Sequence, residues 1–121
     1  MNRPANLFYV QVMQLNEAKD FFNNLLGMNT EMTILAGREK CILVKPNSET
    51  SIFLSEKRHL NQTNKITLKS DDCLEDYCRL KANGVSFKKA PAYLDEGLCV
   101  EFSDPFGNDY TILEQRNYTE D

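Results

Sequence analysis

Hydrophobic and polar residues alternate with period two in several short stretches, and recur at helical spacing in two others. Leu7-Phe8-Tyr9-Val10-Gln11-Val12 is rich in aromatic and β-branched residues and partly alternates, which predicts a strand. Ala18, Phe21, Phe22, Leu25 and Leu26 then fall on one helical face, with Asn16 as the expected N-cap and Gly27 just past the last turn. Lys65-Ile66-Thr67-Leu68-Lys69 alternates cleanly, so Ile66 and Leu68 share one strand face. Asp71 or Asp72 is the expected cap of a second helix, and Asp72 with Glu75 three residues on resembles a capping box. Its apolar side is Leu74, Tyr77, Cys78 and Leu80, and Gly84 closes it.

These pieces form two similar halves. Laid over one another, Leu7 falls on Lys65, Ala18 on Asp76 and Gly27 on Gly84. After the first glycine, strands are predicted at Thr30–Leu35, Lys40–Val44 and Ser51–Leu54, with turns at Ala36-Gly37-Arg38 and Pro46-Asn47-Ser48. After the second glycine come Val85–Lys88, a loop through Pro91 to Gly97, Leu98–Phe102, a tight turn at Asp104-Pro105-Phe106-Gly107-Asn108, and Asp109–Leu113. Each half reads strand–helix–strand–strand–strand, and a repeat of this kind decides the architecture. The expected organisation is one α+β domain over 1–121, with one module at about 5–56, a polar linker at 57–64 and a second module at about 65–115. The polar tail after Gln115 is expected to fray. In each module the helix should cover one sheet face; the other faces, curved and opposed, would enclose a ligand cleft.

Composition narrows the function classes. The chain has 121 residues, 41% hydrophobic and 26% charged, which suits one globular domain. Trp is absent. A net charge of −4 with no basic stripe argues against nucleic acid and against an anionic membrane surface. No apolar run approaches the ~20 residues that span a bilayer, and Met1–Leu7 shows no signal-peptide pattern. A cytoplasmic location is expected, and Cys41, Cys73, Cys78 and Cys99 are expected to be free thiols.

The chain resembles the vicinal oxygen chelate (glyoxalase/bleomycin resistance/extradiol dioxygenase) superfamily over about Leu7 to Glu114. The residues that carry the likeness are Val10-Gln11-Val12, Asn16-Glu17-Ala18-Lys19-Asp20-Phe21-Phe22 and Leu25-Leu26-Gly27 in the first half. In the second they are Leu80-Lys81-Ala82-Asn83-Gly84-Val85 and Phe102-Ser103-Asp104-Pro105-Phe106-Gly107-Asn108. The resemblance implies two βαβββ modules forming a curved mixed-sheet cleft, commonly in chains that pair as homodimers. It also implies a choice among isomerases, epimerases, extradiol dioxygenases and non-enzymatic drug-binding proteins. The enzymes of this superfamily mostly hold a divalent metal through the opening strand of each module and a closing strand. Carried over, those positions fall on Leu7, Lys65, Thr111 and the neighbourhood of Ile52, with Ser51 and Phe53 beside it. None supplies a carboxylate or an imidazole, whereas a first-row metal wants three or four converging N, O or S donors. The single histidine, His59, lies in the polar linker and reads as a solvated loop residue. No metal and no cofactor are therefore expected.

If the ligand positions implied by the resemblance face the cleft, alternation brings their neighbours with them. The candidate ligand-binding residues are Leu7, Tyr9 and Gln11; Lys65, Thr67 and Lys69; Thr111 and Leu113; and Glu101. The opposite parity, Phe8, Val10, Val12, Ile66, Leu68, Tyr110 and Ile112, is apolar, as helix-packed residues should be. The leading expectation is a metal-free binder of a small, partly apolar molecule. One alternative is an enzyme of the lyase, isomerase or dioxygenase kind, metal-dependent or built on a desolvated lysine. Another is a regulatory module whose cleft is filled.

Overall fold

The computed structural model describes residues 6–115. The expected fraying of the tail lies outside them. The chain divides into two compact units, 1–64 and 65–121, and each carries a four-stranded mixed sheet with its helix.

In the first unit the strands are β1 (Asn6–Gln11), β2 (Asn29–Leu35), β3 (Glu39–Asn47) and β4 (Thr50–Ser55), arranged β1-β4-β3-β2. β1 runs parallel to β4, and β3 is antiparallel to both β4 and β2. The helix α1 (Leu15–Asp20) packs on β3 and β4, then widens into a π-helical turn over Phe21–Leu25 that reaches β2. Asn16 does not cap it. The helix begins two residues earlier, with Gln14 in the N-cap position, and the Leu15 N–H donates to Glu56 Oε2 at 2.9 Å. This remote carboxylate satisfies a free end-turn donor that local sequence was expected to serve. Gly27 adopts φ 70° at the chain reversal, the left-handed conformation that ends helices. Val10, Ile42, Val44, Ile52 and Leu54 on the sheet meet Ala18, Phe22 and Leu26, all essentially sealed from solvent. Each such aliphatic side chain contributes about 1.5–3 kcal/mol on burial.

The hairpin expected at Pro46-Asn47-Ser48 closes later. β3 continues through Pro46 and Asn47, with a register shift between Val44 and Asn47, and Asn47 Oδ1 accepts the Glu49 N–H at 2.9 Å. Residues 57–64, expected to be a linker, lie along β1. Tyr9 and Gln62 form a parallel bridge, and the Thr63 N–H donates to the Tyr9 carbonyl at 2.9 Å.

In the second unit β5 (Lys65–Lys69), β6 (Ala92–Leu94), β7 (Gly97–Ser103) and β8 (Asp109–Gln115) are ordered β5-β8-β7-β6. β5 is parallel to β8, and β7 is antiparallel to β8 and β6. The helix α2 (Cys73–Ala82) packs on β7 and β8. Asp72 caps it as expected, accepting the Glu75 N–H at 3.1 Å, while Glu114 Oε1 takes the Cys73 N–H at 2.9 Å. The buried side of α2 is Cys73 and Leu80 with half-buried Tyr77; Cys78 is exposed and Leu74 half exposed, so the expected apolar stripe is rotated. The strand expected at Val85–Lys88 reduces to a single bridge, Phe87 to Phe102, and the pairing strand lies instead at Ala92–Leu94. Phe87 acts through its ring, edge-on to Tyr77 at 4.8 Å and to Phe102 at 5.8 Å.

The turn at Asp104–Asn108 forms as its sequence predicts. Asp104 Oδ1 accepts the Phe106 and Asn108 N–H groups at 2.8 and 3.0 Å. Oδ2 accepts Asn108 Nδ2 and the Tyr110 hydroxyl, both at 2.8 Å.

Candidate functional site

The pleat decides which side chains a ligand meets. In the first unit the face away from α1 carries Tyr9, Phe53, Leu43 and Glu31 in one cross-strand row, since Tyr9 pairs with Phe53, Phe53 with Leu43 and Leu43 with Glu31. Tyr9, Phe53 and Leu43 are half-buried, and Glu31 is exposed. The Tyr9 and Phe53 rings stack at 5.5 Å and 21°. The adjoining row begins with Gln11 opposite Ser55.

Over this second row lies the segment 56–64. His59 stacks on Tyr9 at 5.1 Å and 17°, so three rings follow one another: Phe53, Tyr9, His59. The His59 Nε2 lies 2.9 Å from Glu39 Oε2, the oxygen that also accepts the Ser55 hydroxyl. Gln62 Oε1 accepts the His59 N–H at 2.9 Å, and its Nε2 donates to Gln11 Oε1 at 3.4 Å. His59 is thus not a solvated loop residue: its side chain is only 26% exposed, held by Glu39 at Nε2 and by Tyr9 on one ring face. The hydroxyl of Ser55 and the ring of His59 hold Glu39 below its ordinary pKa, so the carboxylate is charged at neutral pH. Both Ser55 and His59 point their bonds at the carboxylate, so the imidazole does not receive the Ser55 proton and the trio lacks the order of a hydrolytic relay. Burial, and then the Glu39 charge, pushes the neighbouring Cys41 thiol up, which removes it as a nucleophile.

In the second unit the face away from α2 is polar. Thr67, Thr111 and Glu101 form one row; Lys69, Leu113 and Cys99 form the next; Lys65, Asp109 and Ser103 form the third. Lys65, Thr67, Lys69 and Glu101 are exposed, while Thr111 and Leu113 are half-buried. The opposite parity, Ile66, Leu68, Tyr110 and Ile112, is at most 4% exposed. A cavity of about 170 Å³ opens beside Ala92, Leu94, Cys99 and Glu101.

The positions that would carry a metal do not suit one. Leu7 is 51% exposed and pairs with Ser51; Ile52 is fully buried beneath α1; Lys65 pairs with Asp109; Thr111 offers one hydroxyl. Among the described residues no group of three or more His, Cys, Asp or Glu could hold a metal ion. No helix among them is long and apolar enough to cross a membrane.

Sequence reasoning missed Glu39, Ser55, His59 and Gln62. The alternation Glu39-Cys41-Leu43 carries a signal for the first of these, because it puts Glu39 on the face of Leu43. His59 and Gln62 lie in a stretch with no periodicity and carried none.

Two modules of one parallel and two antiparallel pairings, each with a helix on one face, define a small α+β protein of the paired-βαβββ class. The chain belongs to the Glyoxalase/Bleomycin resistance protein/Dioxygenase superfamily, whose pattern matches residues 5–112. Among solved structures it is similar to TnmS3, an antibiotic-binding protein from Streptomyces sp. CB03234, with 25% identity over 95% of this chain and 98% of that one, TM-score 0.80. A glyoxalase/bleomycin resistance protein from the same Streptomyces strain shares 26% identity over 91% and 99%, TM-score 0.77. A member of the superfamily from Sphaerobacter thermophilus DSM 20745 shares 26% over 95% and 99%, TM-score 0.75. No functionally curated protein matches the sequence.

Proposed function

We propose that this protein binds a small, partly apolar molecule on the open face of its first sheet, without a metal and without turning the molecule over. The observation that carries this reading is the row Tyr9–Phe53–Leu43, half-buried apolar surface on a sheet face that its own helix does not cover. A few polar groups bordering such a surface, here Gln11, Glu31 and His59, are what ligand sites use for orientation. The likeness to an antibiotic-binding protein supports a binding role. The lack of carboxylate or imidazole at Leu7, Ile52, Lys65 and Thr111 speaks against the metal-dependent chemistry of the superfamily's enzymes. We propose further that the protein is cytoplasmic and that it is a homodimer, the second of which light scattering checks.

A thermal-shift series tests it, with EDTA, with Mn, Ni, Zn and Fe(II), and with a panel of aromatic antibiotics and metabolites. A ligand of the native state raises the midpoint by mass action. Stabilisation by an organic compound with no response to metals is expected. Stabilisation by a metal that EDTA reverses overturns the metal-free reading, and a flat response to every organic compound overturns the binding reading.

A further inference from the structure

Beside the segment 56–64 lies a cavity of about 640 Å³ lined by Arg58, His59, Leu60, Gln62, Thr63 and Asn64. It is the opening onto which the ring series Phe53–Tyr9–His59 ends, since His59 both closes that series and lines the cavity. Its lining is one-sided in charge. Among the described residues that line it there is no carboxylate, and Arg58 contributes a guanidinium that is always protonated. Arg58 makes no ion pair among the described residues. The Gln62 amide is engaged by the His59 N–H and by Gln11, which holds the segment's own shape. The His59 ring is fixed in place by Glu39 at Nε2 and by Tyr9 on one face. Its Nδ1 has no partner among the described residues. A cavity that offers a fixed aromatic ring, an unpaired guanidinium and donors without acceptor charge suits a flat ring system bearing an acidic group.

We propose that this cavity takes a planar aromatic anion, its ring stacked on His59 and its acidic group paired with Arg58. This rests on the small-molecule reading above and adds the ligand class. Glu39 is a positioning residue in it, acting only through the imidazole.

The test uses two fluorescent probes with one ring framework. The first is 8-anilinonaphthalene-1-sulfonate, which is anionic. The second is N-phenyl-1-naphthylamine, which lacks the sulfonate. The native protein is expected to bind the sulfonate about fivefold more tightly, the scale of an exposed ion pair. Arg58→Gln should remove that preference and leave the amine unaffected. His59→Ala should weaken both probes by about fivefold, the scale of an aromatic contact, and His59→Phe should restore the amine. Lys57→Gln removes an equal charge one residue away, from a side chain that borders a different depression, and should change neither. Thermal midpoints within a few degrees of native show that each variant is folded. Equal affinity for the two probes, or equal losses in Arg58→Gln and Lys57→Gln, overturns the anion site while leaving the binding reading intact. If neither probe binds, the aromatic-anion site is overturned, and the thermal-shift panel reports separately on the broader reading.

Discussion

Glu39 on β3 and His59 in the following segment meet at 2.9 Å, a contact between residues 20 apart in sequence that anchors 56–64 to the open sheet face. Ser55, which the same carboxylate oxygen accepts, shares that anchor. Ser55 and His59 hold Glu39 below its ordinary value of 4.5. A carboxyl whose folded-state pKa is depressed contributes stability that is complete above its unfolded pKa and is lost as pH falls through the folded one. Glu39→Gln is therefore expected to be less stable than the native protein by about 1 kcal/mol near pH 7. The gap should narrow as pH falls below 4.5 and through the depressed folded-state pKa. Urea titrations of both proteins between pH 7 and 3 check this, and a gap that stays constant with pH would show that the charge of Glu39 does not hold the segment.

The elements of this architecture that sequence shows are those encoded by a local period. Ile66 and Leu68, or Tyr110 and Ile112, declare their buried face because every second residue in a strand faces the same way. Asp72 and the Asp104–Asn108 turn were legible because their partners lie within a few residues. The strand at Ala92–Leu94 was not, because all three side chains are exposed and its pairing comes from β7 alone. The start of α1 depends on Glu56, 41 residues away. The role of His59 depends on Tyr9 and Glu39, which no pattern around His59 announces. The candidate site was thus half readable: the strand positions followed from parity, and the segment laid over them did not.

Asp104 is expected to be the most costly polar residue to remove in the second unit. It is 6% exposed, and its two oxygens accept four donors, among them the hydroxyl of fully buried Tyr110. Burial, and then the Asp104 charge, pushes that phenol well above its ordinary pKa, so Tyr110 stays neutral and remains a donor. Asp104→Ala strands these donors and should cost roughly 3 kcal/mol. Tyr110→Phe removes one bond of four and should cost about 1 kcal/mol. The double variant should cost less than the sum, because the bond between the Tyr110 hydroxyl and Asp104 Oδ2 is lost in each single variant and counted twice in the sum. Chemical denaturation of the four proteins decides it, and strict additivity would show that the two side chains do not interact.

Two glycines with positive φ should respond differently to alanine. At Gly97, φ is +145° and a Cβ would collide with the Glu114 backbone carbonyl, held in place by the β7–β8 ladder. At Gly107, φ is +92° but a Cβ would meet nothing within 4 Å. Gly97→Ala must push β7 and β8 apart and is expected to cost more than about 3 kcal/mol. Gly107→Ala incurs backbone strain alone, about 1–2 kcal/mol. Thermal midpoints that rank the two the other way would mean that this end of the β7–β8 ladder yields to the added methyl.

Thiol reactivity separates the four cysteines. All are free, but only Cys78, on the outer side of α2, is exposed. Burial pushes the thiols of Cys41, Cys73 and Cys99 up, Cys73 to about 11, so at pH 8 they are both covered and protonated. Cys73 further donates to the Ile112 carbonyl at 3.7 Å. Because the thiolate is the reactive form, a disulfide reagent such as DTNB at pH 8 should modify one thiol per folded chain quickly and the other three only on unfolding. Cys78→Ser should abolish the fast phase without changing stability by more than about 0.5 kcal/mol. Peptide mapping of the first adduct identifies the residue. A fast adduct on Cys99 instead would show that β6, which pairs with it through Ala92, opens on the timescale of the reaction.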